Sequence, residues 1–349
     1  METRKLQKIG GSTYSVSLPK EWATEHRLEA GMPIHLYPHT DGSIVVRSAA
    51  RDGGSLSSTR ITLPMADADT IERALRAAYA VGYDTITLVP PEGEELTAAE
   101  RRAIRRCVRT MVGLSVTEET TERVAVENLL ATSEVSIRQS VTQLQFTALS
   151  MHRTAIERVT RRVVGESVES AAALDDRDDE VDRLFEMLTR HFNRSLTDFE
   201  EVDDLDVSRP ELFDYYLVGR GIERIADHAV RIGTLADAVE RDSTNGRTES
   251  DDALADDVLA ELTALAEATR EVVETATAAA LDASDDRAYE ALERRNRVVD
   301  DVRALDRTLF ERAPPDAYAL SRVLASLIRT AECGGNVARV ALRASLRPE

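Results

Sequence analysis

The stretch RGIERIADHAVRI, residues 220–232, sets acidic side chains beside an apolar helical stripe. Glu223 and Asp227 lie four positions apart, and residues at that spacing share one face of a helix, with Cβ atoms ~5–6 Å apart. A weaker copy, RTAECGGNVARVA, occupies residues 329–341. The repetition indicates that one helical unit occurs twice in this chain.

The chain from about residue 132 onward has a helical pattern without strand-like runs. A second pair of segments supports the duplication, because AALDDRDDEVDRL at 172–184 aligns with EALERRNRVVDDV at 290–302. Turn-forming residues interrupt the pattern at Gly165, SRPEL (208–212), RDSTNGRTESDD (241–252), Ala283-Ser284 and Pro314-Pro315. Long helices with short connections are typical of antiparallel bundles. We therefore predict six helices in two three-helix bundles, at 131–245 and 246–349.

The first 48 residues follow a different pattern, of short strands and turns. The alternating run TYSVSL predicts a strand with one buried face. Asp41-Gly42 lies between two apolar runs and predicts a hairpin turn. The segment KEWATEHRLEAG predicts one short helix that ends near Gly31.

The Gly- and Ser-rich segment at 49–58 predicts a linker, and residues 59–130 follow with a strand–helix–strand–helix–strand pattern. Asp67 or Asp69 is the expected N-cap of the first helix. Thr97, with a glutamate three positions later, has the spacing of a capping box. LSVTEE closes the unit, and RVAVENL is a further candidate strand. We predict a small α/β sandwich, without a Gly-rich phosphate loop or a catalytic constellation.

The chain is strongly acidic and poor in lysine. Asp and Glu total 63 against 44 Lys and Arg, which gives a net charge of −19, and only Lys5, Lys8 and Lys20 are lysines. Such a composition is typical of proteins from extreme halophiles, in which multimolar salt screens the repulsion between carboxylates to within ~3 Å. An acidic protein from a low-salt organism is the alternative interpretation.

Cysteine usage and hydropathy favour a cytoplasmic protein. Cys107 and Cys333 form neither a metal-binding spacing nor a disulfide framework, which fits a reducing compartment. No apolar run approaches the ~18 residues of a membrane span, so no membrane insertion is expected. The N-terminal sequence METRKLQKIGG lacks the apolar region of a signal peptide.

Two parts of the chain resemble known families. The helical part, about residues 131–349, resembles the PhoU regulators of phosphate uptake in DDEVD at 178–182 and in IERIADHAVRI at 222–232. Residues 1–48 resemble the AbrB/MazE/SpoVT swapped-hairpin DNA-binding domain in the Gly-Gly-Ser turn at 10–12 and in the later hairpin. The whole chain is similar to archaeal PhoU-domain regulators with this N-terminal fusion. The resemblance implies a multidomain fold with a swapped-hairpin β domain, a small α/β sandwich and an all-α pair of three-helix bundles.

A metal site is one interpretation of the acidic pairs. Asp178 and Asp182 share a helix face, as Glu223 and Asp227 do, and antiparallel helices would bring the two pairs together. Four carboxylates repel one another, and oxygen ligands suit hard cations such as Fe³⁺, Mn²⁺, Mg²⁺ or Ca²⁺. The resemblance to PhoU implies metal clusters of iron or zinc, and no organic cofactor is expected. The alternative is ion pairing with nearby arginines.

The second copy of the acidic pattern carries fewer charges. The aligned positions are Asn296, Asp300, Glu332 and Asn336, so two carboxylates have become neutral amides. Fewer charges weaken cation binding, and we predict a degenerate second metal site. Gly334 and Gly335 are expected to weaken this helix by roughly 1 kcal/mol each relative to alanine. In the first copy, His228 points about 100° away from Asp227 around the helix and is expected to be structural or on the surface.

The N-terminal resemblance implies a homodimer or higher homo-oligomer that binds DNA. Candidate contacts to phosphates or base edges are Arg4, Lys5, Lys8, Ser12, Ser17 and Lys20. Two symmetric copies favour a palindromic or pseudo-palindromic site. Residues 1–48 carry six basic and five acidic side chains, so this part is nearly neutral while the rest of the chain is strongly acidic.

Three functions fit these observations. We favour a DNA-binding transcriptional regulator of phosphate uptake or homeostasis, with the helical bundles as its sensory or partner-docking part. The second is a signalling adaptor that acts on a phosphate ABC transporter ATPase or a sensor kinase and uses the N-terminal domain only for dimerisation. The third is a metal-dependent phosphohydrolase, which has little support because the sequence shows no nucleophile–base pair. We therefore expect a regulator and not an enzyme.

Overall fold

The computed structural model describes residues 3–11, 13–38, 42–48, 56–63, 67–168, 170–198, 200–238, 249–312 and 316–347. The chain divides into two compact units, Met1–Ser55 and Leu56–Glu349. The first unit contains β-hairpins, and the second combines a small mixed sheet with a long helical region. The predicted multidomain fold class is confirmed, and the individual domain boundaries stay predictions.

Two short hairpins and one short helix make up the N-terminal unit. These elements are β1 (Gln7–Ile9), β2 (Thr13–Ser15), α1 (Lys20–Glu25), β3 (His35–Pro38) and β4 (Ile44–Arg47). β1 pairs antiparallel with β2, and β3 pairs antiparallel with β4. The predicted turn at Asp41-Gly42 falls partly outside the described residues: Asp41 is not described, and Gly42 has a left-handed φ of +82°.

Two predictions for this unit are wrong. The helix ends at Glu25 and not near Gly31, because Arg27 adopts a φ of +55°, which a right-handed helix does not allow. The strand in TYSVSL ends at Ser15 and lacks a buried face, since Tyr14 is exposed. The local sequence carries the alternation, but no residue that the structure describes covers Tyr14 on the apolar side of the strand.

The α/β part has four strands and two helices. They are β5 (Ser58–Thr62), α2 (Ala68–Val81), β6 (Thr85–Val89), α3 (Ala98–Arg109), β7 (Leu114–Glu119) and β8 (Val124–Asn128). The sheet order is β5-β6-β8-β7, with β5 parallel to β6 and β8 antiparallel to both its neighbours. The candidate strand RVAVENL is thus a central strand, paired on both sides, and its Val124 and Val126 are buried. Ser58, the last residue of the linker predicted at 49–58, is instead the first residue of β5.

The predicted N-caps of both helices in this part are present. Asp67, one of the two candidates, accepts a hydrogen bond of 2.8 Å from the Thr70 backbone N–H. Thr97 Oγ1 accepts from the Glu100 N–H at 3.2 Å, while the Glu100 carboxylate accepts from the Thr97 N–H at 2.6 Å. These caps satisfy N–H groups that the first turn of a helix leaves without backbone partners.

Six long helices and one short helix follow within the described ranges. They are α4 (Ile137–Val163), α5 (Ala172–Ser195), α6 (Glu200–Asp204), α7 (Arg209–Leu235), α8 (Glu249–Leu281), α9 (Asp285–Arg312) and α10 (Ala317–Ser345). The sequence pattern did not indicate the short α6. SRPEL begins α7, because Ser208 and Glu211 form a capping box there. The helices α4, α5 and α7 pack together as a first bundle, and α8, α9 and α10 as a second.

The two bundles share one hydrophobic core. Helix α7 packs closely against α10 at Gly221. A Cβ at this position would lie only 2.9 Å from Val337 Cγ2, so a larger residue would not fit without a shift. Gly334 of α10 lies equally close to α8, where an added Cβ would meet Val272 Cγ1 at 2.9 Å. Such close packing compensates for the low helix propensity of glycine in the second repeat.

Candidate functional site

Helices α5 and α7 bring the two predicted acidic pairs to one contact between helices. Asp178 and Asp182 lie on α5, and Glu223 and Asp227 lie on α7. Apolar side chains of the shared core hold the two helices together. Asp178, Asp182 and Glu223 are half-buried beside that contact, whereas Asp227 is exposed. We call these four residues the acidic cluster.

The carboxylates of the acidic cluster act on one another electrostatically. Burial raises the pKa of Asp178 to about 6, and the charges of Asp182 and Asp227 contribute to the rise. Burial likewise raises the pKa of Glu223 to about 7, against the lowering effect of Arg220 and with a further rise from Asp227. Burial also raises the pKa of Asp182. Negative charge on α5 therefore disfavours negative charge on α7. A cation bound between the two helices would relieve this repulsion.

An arginine partly compensates the acidic cluster. Arg220 Nη1 donates to both Glu223 carboxylate oxygens at 3.3 Å, and its guanidinium lies 5.7 Å from the centre of the Phe185 ring. The alternative interpretation, ion pairing, thus holds for one member of the cluster. Within the described part of the chain, the other three carboxylates form no ion pair.

A second arginine reaches the acidic cluster from the α/β part. Arg76 on α2 lowers the pKa of Asp182, although burial dominates and leaves that pKa raised. The same guanidinium forms an ion pair with Glu186, one turn further along α5, and another of 2.8 Å with Glu72. The sequence did not indicate this link, because Arg76 is far from α5 along the chain.

The acidic cluster has the charge of a cation site without its geometry. Carboxylate oxygens are the ligands that hard cations prefer. However, the residues that the structure describes include no group of three or more His, Cys, Asp and Glu side chains placed to hold one metal ion. The donor chemistry fits a metal and the present spacing does not, so metal binding stays a prediction.

The second repeat places its aligned residues in water. Asn296, Asp300, Glu332 and Asn336 are all exposed. Asp300 pairs with Arg303 at 3.8 Å, and Asn336 Oδ1 accepts from Arg339 Nη1 at 2.8 Å. Exposed carboxylates and amides keep their hydration, so their desolvation cost is small and a cation is not required to offset it. The arrangement agrees with a degenerate second site, which also stays a prediction.

Two histidines lie inside the bundles rather than at the acidic cluster. His228 is buried, and burial with the nearby charges of Arg231 and Arg329 lowers its pKa to about 4. His152 on α4 is fully buried, and burial and Arg270 lower its pKa to about 3. Both are therefore neutral side chains of the core, and His228 has the structural role expected for it.

A buried polar network links α5 to α6 and to the α/β part. His191 Nδ1 lies 2.5 Å from Glu201 Oε1, and Arg194 Nε donates to Glu201 Oε2 at 2.9 Å. Arg194 Nη1 also donates to Asp84 Oδ1 at 2.7 Å, and Arg190 Nη2 donates to the same oxygen at 3.1 Å. Burial raises the pKa of Glu201, but its interactions with His191 and Arg194 outweigh burial and hold this pKa below its usual value.

Helix α5 also binds the C-terminal end of α2. Arg190 Nη1 donates to the Tyr83 carbonyl at 2.8 Å, Asn193 to the Ala80 carbonyl at 2.7 Å, and Arg194 to the Gly82 carbonyl at 2.8 Å. Cationic donors suit the carbonyl end of a helix, which lacks backbone partners and carries partial negative charge. The α/β part is therefore fixed to the helix that carries half of the acidic cluster.

The candidate DNA contacts lie in the N-terminal unit. Arg4, Lys5, Lys8, Ser17 and Lys20 are exposed, and Ser12 lies outside the described residues. Lys8 on β1 is paired with Tyr14 on β2, so the two side chains share one face of the hairpin. More than half of the surface is also exposed for six apolar side chains of this unit: Leu6, Ile9, Tyr14, Val16, Leu36 and Ile44.

Two family models match this chain, one in each of these regions. Residues 141–236 match the family model of the PhoU domain. This PhoU domain runs from α4 to the end of α7 and includes the whole acidic cluster. Residues 7–53 match the model of the MazE antitoxin, described as antidote-toxin recognition. The two predicted resemblances are confirmed.

Other comparisons add little to these two matches. No curated protein and no solved structure matches the chain. Neither the PhoU domain nor the MazE domain is a family of enzymes. Within the described ranges, no helix is long and apolar enough to cross a membrane.

Proposed function

We propose that this protein is a DNA-binding transcriptional regulator of phosphate uptake or homeostasis. The observation that carries the proposal is the presence of a PhoU domain and a MazE-type domain on one chain. The N-terminal unit binds DNA, and the PhoU domain and its repeat sense phosphate status or dock a partner. The α/β part connects the two functions or binds an effector.

The exposed apolar surface of the N-terminal unit supports a homodimer. Leu36 on β3 and Ile44 on β4 lie on one face of their hairpin, because Leu36 pairs with Val46 and Ile44 pairs with Pro38. Apolar faces of this kind are unfavourable in water and are typically covered by a partner. A second copy of the unit supplies such a cover and also creates a symmetric DNA-binding surface.

The acidic cluster is the proposed cation site. Asp178, Asp182, Glu223 and Asp227 would hold a hard cation such as iron, manganese or magnesium, or zinc, through carboxylate oxygens. Support comes from the raised pKa values of Asp178, Asp182 and Glu223 and from the three carboxylates that form no ion pair among the described residues. The cation would remove repulsion between α5 and α7 and would compete with Arg220 for Glu223.

Mapping of genomic occupancy in high and low phosphate tests the main proposal. We expect sites near phosphate-transport genes, with occupancy that changes with phosphate supply. A full-length variant with Lys5, Lys8 and Lys20 changed to alanine should lose most of this occupancy, because phosphate contacts supply much of the affinity for DNA. Occupancy unrelated to phosphate supply would remove the assigned role.

A signalling adaptor is the second candidate, favoured by the PhoU match taken alone. In that function the bundles dock a phosphate ABC transporter ATPase or a sensor kinase, and the N-terminal unit only dimerises. Purification of the protein with such a partner, together with no retention of DNA, would favour the adaptor over the regulator.

A further inference from the structure

A cavity of about 480 Å³ lies where α4 ends and α5 begins. Part of its lining is basic and rich in hydroxyl groups, with Arg158, Arg161, Thr154, Ser167 and Ser170. The volume falls within the ~300–1,000 Å³ of small-molecule sites. Two guanidinium groups beside three hydroxyl groups are donors that suit an anion.

Neighbouring carboxylates position both guanidinium groups at this cavity. Arg158 is 8% exposed, and its Nη2 donates to Asp237 Oδ1 at 3.1 Å. Arg161 Nε donates to Glu166 Oε2 at 2.7 Å. A guanidinium presents five N–H donors in a planar fork that matches the oxygens of a phosphate. Because the carboxylates already restrict these side chains, an oxyanion binds with a smaller loss of rotamer entropy.

The first turn of α5 forms another part of the same cavity. Ala173 and Leu174 line it, and the N-cap residue Ala171 supplies no side-chain cap. Ser170 Oγ accepts from the Ala172 N–H at 3.3 Å. The N-terminus of a helix carries partial positive charge and favours a nearby anion. This contribution adds to that of the two arginines.

Glu157 decides which oxyanion suits the cavity. It is the only carboxylate among the described lining residues. A carboxylate accepts a hydrogen bond from an oxyanion that carries a proton and repels one that does not. Inorganic hydrogen phosphate keeps a proton near neutral pH, whereas sulfate does not and a phosphomonoester, with its second pKa near ~6, mostly does not.

We propose that this cavity binds inorganic hydrogen phosphate. Arg158 and Arg161, each already paired with a carboxylate, donate hydrogen bonds to the phosphate oxygens, and Glu157 accepts the hydrogen bond from the phosphate proton. Leu174 of the lining precedes Asp178 by one turn of α5, so the same helix connects the phosphate site to the acidic cluster. The proposal names the ligand that the proposed regulator senses, and it rests on that function for its regulatory meaning.

Equilibrium dialysis with radiolabelled inorganic phosphate, on the full chain at constant ionic strength, tests the proposal. We expect one saturable site per chain. Arg161→Gln should weaken phosphate binding about tenfold, because it removes charge-assisted hydrogen bonds. Arg153→Gln is the matched control, since it removes the same charge from an exposed position of α4 outside this cavity, and its affinity should not change. Circular dichroism checks that both variants fold.

Competition distinguishes the ligand classes. Sulfate and a phosphomonoester such as AMP should compete poorly in the wild type, and sulfate should compete well in Glu157→Gln, where an amide replaces the carboxylate. Absence of saturable binding, equal weakening by Arg161→Gln and Arg153→Gln, or equal competition by sulfate in the wild type would each overturn the proposal. DNA occupancy that still follows phosphate supply in those cases would leave the regulator intact and place its sensor elsewhere.

Discussion

Arg190 on α5 donates a hydrogen bond of 3.1 Å to Asp84 Oδ1 in the α/β part, although only 2% of its surface is exposed. The guanidinium also lies 5.1 Å from the centre of the Tyr79 ring. A charge this deeply buried is tolerated only when its donors are matched by acceptors. The carbonyls at the end of α2 and the Asp84 carboxylate provide those acceptors. The pairing therefore defines how the α/β part meets the PhoU domain.

Replacement of this buried cation should destabilise the larger unit. Arg190→Met keeps much of the side-chain volume but leaves the Tyr79 and Tyr83 carbonyls without their side-chain donor and Asp84 with Arg194 alone, at an expected cost of about 2 kcal/mol. Urea denaturation measures the change. Arg73→Met is the control, because Arg73 pairs with Asp69 in an exposed position and its loss should cost less than about 0.5 kcal/mol. Equal costs for the two variants would contradict the assigned role of Arg190.

Cation binding should depend on the first repeat alone. Asp182→Asn removes one ligand charge from the acidic cluster, and we expect it to lower the affinity for Mn²⁺ or Fe³⁺ at least about tenfold. The internal duplication offers a matched control in Asp300→Asn, the same change at the aligned position. Metal content after dialysis and calorimetric titration provide the measurement. Equal metal binding by both variants would exclude the acidic cluster as the site.

The metal-free protein should lose stability as pH rises. The folded chain holds a proton on Glu223 up to a pKa of about 7, above its ordinary value of 4.5. The folded state therefore binds more protons than the unfolded state between these values, and the free energy of unfolding falls with rising pH across that window. Glu223→Gln should remove the contribution of Glu223 to this fall, leaving that of Asp178, and stabilise the protein by about 1–2 kcal/mol at high pH.

Denaturation in the presence of a chelator, below and above this window, checks the pH prediction. Glu332→Gln is the control, because the aligned glutamate of the second repeat is exposed. If the two variants have the same pH dependence as the wild type, charge repulsion in the acidic cluster contributes nothing to stability.

Disruption of the exposed N-terminal face should separate the copies of the chain. Leu36→Asp places a charge on the apolar face shared with Ile44, and a buried unpaired charge is strongly unfavourable in a dimer interface. We expect a shift from dimer to monomer in light scattering and a loss of DNA binding. Tyr318→Asp, at an exposed position of α10, should change neither. A dimer that survives Leu36→Asp would show that this face is not the interface.

Salt should stabilise the protein. The net charge of −19 creates repulsion among surface carboxylates, and multimolar KCl screens it to within ~3 Å. Thermal melting across a KCl series should therefore give a midpoint that rises steadily with salt. A midpoint that is independent of KCl would favour an ordinary acidic protein over one adapted to high salt.

Local signals predicted much of this fold. The capping box of Thr97 and the apolar periodicity of the bundles depend on residues within a few positions of one another, so the sequence displays them directly. The acidic pairs at helical spacing were visible for the same reason. The acidic pair of α5 lies beside that of α7 only because the two helices are in contact. The short connections between long helices indicated that contact, since they are typical of antiparallel bundles.

The remaining features depend on distant partners. Arg190 and Asp84 are 106 positions apart, and no local pattern connects them. The central position of β8 follows from the pairing of β6 with a strand that comes after β7, which alternation alone does not specify. The exposed side of β2 could not be predicted either, because alternation gives the spacing of apolar residues and not the molecule that covers them.

The continuity of the hydrophobic core across α7 and α10 has a consequence for cooperativity. The family match ends at Ala236. A chain cut after this residue would expose to water the side of α7 that Val337 covers. The duplicated halves should accordingly melt in one calorimetric transition. We therefore expect that the two halves do not fold independently, and that a truncation intended to isolate the first bundle yields an aggregating fragment.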